Sequence, residues 1–438
     1  MSPASAQPLG WRQGLRYGLM GLPLAFVALP LYVILPNHYA REFGVPLAVL
    51  GGVLLATRLL DAFIDPLLGR LSDRLYRRSL DAVLWFGAAA CVLMALGFAL
   101  LFFPPTREPL GLLGLSALLV MLTYAAFSAV TITHQSWGAL LGGDAVQQSR
   151  IVAWREGLGL LGVVLASIVP ALLGLSVTVL LFWLALAAGW LAWRRAPHPA
   201  PVAHSTTPLA AAALWLPFRR AAFRRLIAVF MINGIASAVP ATLVLFFVQD
   251  RLQAARVLEP LFLGTYFLCA ALSMPLWLKG VRGFGLARCW LGGMLLSVAV
   301  FIGASLLGTG DAYAFILVCA LSGLALGADL ALPGALLAGV MARAGDLGQV
   351  QGAYFGWWNF ATKLNLALAA GVALPLLDLF GYVPGARDPQ ALQALTVAYC
   401  LLPCALKLLA ASLLYVLIIR RPSRRPTEMK QLEPKVQP

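Results

Sequence analysis

The stretch Trp193-Arg194-Arg195-Ala-Pro197-His-Pro199-Ala-Pro201-Val-Ala-His-Ser-Thr-Thr-Pro208 interrupts a strongly apolar chain, and Arg219-Arg220-Ala-Ala-Phe-Arg224-Arg225 closes the interruption. Prolines break a helical pattern, and arginines are costly in hydrocarbon. On either side, apolar blocks of about 20 residues recur, the length that crosses a bilayer as a helix. They lie at 17–36, 45–69, 80–103, 110–141, 151–175 and 176–193 before the interruption, and at 226–249, 260–278, 289–308, 312–342, 351–380 and 392–419 after it. The chain therefore reads as an all-α membrane protein of twelve transmembrane helices in two six-helix halves. Its expected parts are an N-terminal bundle (1–193), a cytoplasmic linker (194–225), a C-terminal bundle (226–419) and a cytoplasmic tail (420–438). Two such halves are the arrangement expected of a rocking transporter with its site between them.

Composition agrees. Of 438 residues, 61% are hydrophobic and 11% charged, where soluble domains carry about 25% charged residues. A net charge of +15 would suggest nucleic acid in a soluble chain, but here the basic residues fall in short runs between apolar blocks. That pattern is topology, and no nucleic-acid partner is expected. Of the 32 Lys and Arg, 23 fall on the side of the termini and linker, five on the other side, and four within or at the edges of spans: Arg58, Arg155, Lys363 and Lys407. The excess places both termini and the linker in the cytoplasm, in a plasma membrane of bacterial inner-membrane type. The apolar segment from Tyr17 is longer than a signal-peptide core and lacks a cleavage site, so it is read as a retained first helix. The six cysteines all sit in apolar runs without zinc spacing, and no metal or cofactor is expected; Cys400 and Cys404, one turn apart, read as small apolar side chains.

Charge inside a span marks a pathway or a partner. Arg58, Asp61 and Asp65 fall within roughly 60° of one another on the second helix, so they share a face. Two carboxylates and one Arg leave a negative charge that a transported cation or proton would balance; the alternative is an internal salt bridge. Lys363, mid-span in the eleventh block, needs a partner as well, and Asp61 and Asp65 are the natural ones.

The string Arg58-Leu-Leu-Asp61-Ala-Phe-Ile-Asp65-Pro66-Leu-Leu-Gly69-Arg-Leu-Ser-Asp73-Arg74 resembles the helix II signature of the glycoside-pentoside-hexuronide:cation symporter family, the melibiose-permease-like branch of the major facilitator superfamily. Its end, through Arg77 and Arg78, is similar to the superfamily's cytoplasmic loop motif, with Tyr76 where Gly is usual. Asp144, Arg150 and Arg155 resemble the family's helix IV to V segment. Gln351-Gly352-Ala-Tyr-Phe-Gly-Trp-Trp358-Asn359-Phe-Ala-Thr-Lys363, with Gly381-Tyr382, resembles its helix XI.

The resemblance implies the superfamily fold, symport of a small solute with a cation, and no enzymatic activity. It implies cation coupling at Asp61, Asp65 and Lys363. A substrate set is expected at Arg58, Arg155, Trp137, Asn359, Trp358 and Asp329, and a gating loop at Gly69, Asp73, Arg74, Arg77 and Arg78. Sodium-using members carry a further aspartate on helix IV, where Thr131 stands here. A proton therefore suits the site better, since it needs a group of tunable pKa and not an oxygen cage. Leu24 and Ala25 replace a charged pair that sugar-binding members carry on helix I, which favours an amphipathic or lipid-like solute as the alternative to a sugar or glycoside. His134 and Gln135 are further candidates for the pathway, and Glu156 is read as a partner of Arg155. The competing class is an intramembrane enzyme or a non-transporting assembly factor. No nucleotide loop, His-Glu-x-x-His or Gly-x-Ser-x-Gly string supports it. The bilayer, a small solute and the coupling cation are the expected partners of a monomer.

Overall fold

A computed structural model describes residues 9–45, 47–200, 214–383 and 385–420. Pro201, Pro208 and the basic tail from 421 lie outside the described residues, as does the side chain of Arg58. Among the described residues all regular structure is helical. The spans are α1 (Trp11–Tyr32), α2 (Leu47–Arg78), α3 (Leu80–Phe102), α4 (Pro109–Leu140), α5 (145–173), α6 (175–194), α7 (Ala221–Phe246), α8 (Glu259–Phe284), α9 (Leu286–Ala304), α10 (Ala312–Ala344), α11 (Gln351–Leu379) and α12 (Pro389–Ile419). These are the twelve helices of a major facilitator superfamily fold.

Local chemistry sets their ends. Asp144 caps α5, its Oδ1 accepting from Gln147 N at 2.8 Å, and Asp388 caps α12 through Ala391 N at 2.8 Å. α5 and α6 run as one stretch, Ala145–Arg194, except at Gly174, whose φ of 78° breaks the helical path. That backbone conformation is strained for any residue with a Cβ.

The sequence placed a loop over Arg70–Arg78, and the structure corrects it. α2 continues unbroken to Arg78, so Gly69, Asp73, Arg74, Arg77 and Arg78 all lie on a helix. No breaker separates Gly69 from Ser79. Ser79 alone makes the turn, extended at φ −175° and ψ 157°, with its hydroxyl accepting from Ala82 N to start α3. The helix preceding the first apolar block also starts earlier than its hydropathy suggests, at Trp11, and α7 starts at Ala221, inside the expected linker.

Within the first half α1 packs along α5, and α4 along α2 and α3; within the second, α10 packs against α8 and α9, and α7 against α11 and α12. The halves meet where α2 and α4 lie on α11, and where α5 lies on α8 and α10. Small residues allow the closest of these approaches, as is usual between membrane helices. A Cβ on Gly69 would collide with the Gly352 backbone, one on Gly352 with the Gly69 carbonyl, and one on Gly356 with the backbone of Asp65 and Pro66.

Candidate functional site

The α2–α11 contact is antiparallel: Gly352 lies beside Gly69, Gly356 beside Asp65, and Lys363 beside Asp61. Lys363 Nζ donates to Asp61 Oδ2 at 2.5 Å, to Asp65 Oδ1 at 2.8 Å and to Ser128 Oγ on α4 at 2.7 Å. All three ammonium donors are thereby used. Ser128 Oγ in turn donates to Asp61 Oδ1 at 3.3 Å. Both carboxylates are buried, Asp65 completely, while Asp65 Oδ2 has no hydrogen-bond partner among the described residues. The cluster thus joins two helices of one half to a helix of the other and, among the described side chains, sets two carboxylates against one ammonium. Thr131 Oγ1, one turn along α4 from Ser128, is likewise buried without a partner.

Asn359 Nδ2 donates to Gln135 Oε1 at 2.8 Å, a second polar contact between the halves. Arg155 pairs with its neighbour Glu156. With Gln135, Tyr17 and Trp358, Arg155 lines a narrow gap of about 20 Å³. Trp358 stacks on Phe230 with ring centroids 3.7 Å apart. His134 is fully buried against Tyr17, whose carbonyl lies 2.9 Å from His134 Nε2 and whose ring stacks on it.

Two of the expected substrate residues lie away from this cluster. Trp137 is completely buried and donates through Nε1 to the Pro197 carbonyl at 2.9 Å, anchoring the start of the linker on α4. Asp329 sits within the second half, where Lys407 Nζ reaches its Oδ2 at 2.5 Å and Trp290 Nε1 its Oδ1 at 2.8 Å. Among the described residues no group of three or more His, Cys, Asp or Glu is placed to hold a metal.

At the linker end of the same helix pair, Asp73 accepts from Gly352 N at 2.5 Å and Ala353 N at 2.9 Å, the first amides of α11. A carboxylate there meets unpaired N–H groups and the positive end of the helix dipole. Nearby, Asp346 accepts from Arg220 Nη2 at 2.6 Å and from Tyr354 Oη at 2.6 Å. The hydrogen bond and charge of Asp346 hold the Arg220 guanidinium above its ordinary pKa. Beyond the other end of α11, Tyr382 Oη donates to Asp250 Oδ2 at 2.5 Å.

A family model described as MFS/sugar transport protein matches residues 16–421. The chain belongs to that family. Its members are transporters and not enzymes, and the protein is an integral membrane transporter. No curated protein matches the chain. Among solved structures, a bacterial homologue of the iron transporter ferroportin, in an outward-facing state, superimposes with a TM-score of 0.70 at 15% identity, over 94% of this chain and 99% of that one. The E. coli fucose:proton symporter FucP gives 0.66 at 14%, over 92% and 98%. The human organic anion transporter MFSD10 gives 0.63 at 20%, over 92% and 98%. At these identities the likeness to the family's wider fold is architectural.

Ser128 was missed from sequence. It lies three residues before Thr131 on α4 and is the only described side chain bonded to both Asp61 and Lys363. Ser128→Ala is expected to remove two hydrogen bonds to charged groups. With each worth about 1.5–3 kcal/mol and partly replaced by water, the affinity of the cluster for any cation it binds should fall roughly ten-fold, read from the ion dependence of uptake.

Proposed function

We propose that the protein is a cation-coupled symporter of the melibiose-permease-like branch, with a proton as the favoured coupling ion. The solute is a sugar or glycoside by family resemblance, or an amphipathic molecule. The observation that carries this reading is the Lys363–Asp61–Asp65–Ser128 cluster. It lies across the boundary between the halves and, among the described side chains, sets two carboxylates against one ammonium, so any motion that parts α2 from α11 must separate Lys363 from its carboxylates. A cation or proton on the carboxylates stabilises the parted state, which is the differential interaction that coupling requires. The bundles 1–193 and 226–419 are the rocking units in this reading, joined by the linker. The positive-inside excess orients both termini to the cytoplasm of a bacterial inner membrane, and α2 beyond Gly69 forms the gate. Arg155, Asn359 and Trp358 belong to the pathway between the halves. Sodium is the second reading, favoured by two buried oxygens that have no partner among the described residues, Asp65 Oδ2 and Thr131 Oγ1.

The test is a thermal-shift screen of mono- and disaccharides and glycosides on purified protein, followed by proteoliposome uptake of the best binder under imposed proton or sodium gradients. Accumulation driven by the proton gradient and indifferent to sodium is expected. Sodium-driven, pH-indifferent accumulation would refute the proton, and passive equilibration under both gradients would refute symport.

A further inference from the structure

Asp329 and Lys407 form a second buried ion pair that the coupling cluster does not use. Its surroundings come from four helices of the second half. Trp290 Nε1 (2.8 Å) and Asn233 Nδ2 (3.1 Å) donate to Asp329 Oδ1, and Ser237 Oγ (3.3 Å) and Lys407 Nζ (2.5 Å) to Oδ2. A carboxylate has about four acceptor positions, so Asp329 is saturated and fixed. Lys407 also donates to Asn233 Oδ1 at 3.0 Å. That engages two of its three N–H groups among the described residues.

Both members of the pair line a cavity of about 280 Å³. Its walls are mostly apolar and aromatic, with Phe262, Phe301 and Phe315 from the second half and Leu29 of α1 and Val163 of α5 from the first, and with a few hydroxyls, Ser297 and Ser322 among them. The cavity therefore opens between the halves, where a rocking motion would alter access to it. Asp329 and Lys407 are its charged groups in an otherwise mostly apolar lining.

The charges decide what fits. The pair sums to zero, so a bound anion or cation would bring an uncompensated charge into a low-dielectric site, which is costly. A polyhydroxylated ring carries more hydroxyls than this lining has polar groups free to pair, and the rest would face apolar side chains. A neutral hydroxyl or carbonyl oxygen meets neither penalty. We propose that this cavity binds a neutral amphipathic solute, with an oxygen acceptor on Lys407 Nζ and an apolar body against the aromatic wall. The inference rests on the transporter reading and names the class of solute within it.

Binding is measured by calorimetry at equilibrium, without any ion gradient, so it succeeds or fails independently of gradient-driven uptake. The full chain in nanodiscs is titrated with three probes of one shape, 4-nitrobenzyl alcohol, 4-nitrobenzoate and 4-nitrobenzylammonium, with empty nanodiscs as the partition control. The alcohol is expected to bind at least about ten-fold more tightly than either ion. Lys407→Met leaves Asp329 buried without its cation and is liable to misfold. Val244→Trp instead fills the cavity away from the pair, and in protein shown to be monodisperse it should weaken alcohol binding about ten-fold. An ion that binds as tightly as the alcohol, no detectable heat with the alcohol, or unchanged binding by folded Val244→Trp each overturns the proposal.

Discussion

Proteoliposomes containing Asp65→Asn are expected to lose uphill accumulation completely while still exchanging solute across the membrane. Asp65 is wholly buried, with one carboxylate oxygen on Lys363 at 2.8 Å and the other without a partner among the described residues. In the wild type, two carboxylates face one ammonium among the described side chains, and in the proposed mechanism the coupling ion supplies the missing positive charge. Asn keeps the shape and an acceptor for Lys363 but leaves a neutral Asp61–Lys363 pair. An added cation then has no net charge to neutralise, and the two conformations no longer differ in their affinity for it. A ligand that binds both states equally shifts neither. The expected loss is at least about two orders of magnitude in ion affinity, of the size seen when one partner of a buried charge pair is lost. Thermal stability should hold or rise, because removing an excess buried charge relieves a desolvation cost. Stable protein with undiminished accumulation would remove Asp65 from coupling.

In the wild type, linkage requires that the ion and the solute change each other's affinity by the same factor. Solute affinity should therefore vary with pH in the wild type and not in Asp65→Asn.

The spans and the charged core of this site are legible from sequence for one reason. Charge in hydrocarbon is costly enough that Asp61, Asp65 and Lys363 must find partners wherever the fold puts them. That argument works across the 298 positions between Asp65 and Lys363. It fails for Ser128. A helical hydroxyl usually satisfies itself on the carbonyl one turn back, as Thr123 and Thr133 do on Leu119 and Ala129. Nothing in its sequence distinguishes a serine that instead reaches across to another helix. Lys407 is hidden differently. It stands among the charges within or at the edges of spans with no carboxylate nearby in sequence, and its partner on α10 follows from helix packing order, which hydropathy does not encode. Trp137 misleads because an aromatic on a polar stretch of α4 reads as a stacking platform, whereas its indole N–H holds the Pro197 carbonyl. The expected gating loop fails for a simpler reason: clustered arginines look like a loop, but Gly69–Arg78 contains no residue that stops a helix.

Gly69→Val is expected to open the linker end of the protein, cytoplasmic in the proposed orientation. There α2 and α11 approach so closely that a Cβ at either Gly69 or Gly352 meets the other's backbone, with no flexible side chain to give way. One turn along α2, Asp73 caps the first amides of α11 at 2.5 and 2.9 Å. This cap is available only while the helices touch. Bulk at Gly69 thus removes both the backbone contact and the charge-assisted hydrogen bonds, and both losses act only on the closed state. The open population should rise by at least about ten-fold, which corresponds to about 1.4 kcal/mol. Gln351, now almost fully buried at the start of α11, reports the change. In a Gln351→Cys background, labelling by a membrane-impermeant maleimide added from the linker side should accelerate about ten-fold on Gly69→Val. Asp73→Asn, which keeps the contact but weakens the cap, should give a smaller increase. Gly264→Val is the control, since a Cβ there meets nothing within 4 Å, and it should leave labelling unchanged. If Gly69→Val labels no faster than this control, the seal lies elsewhere. The antiparallel pairing of Gly352 with Gly69 and of Lys363 with Asp61 would then no longer connect the ion cluster to the gate.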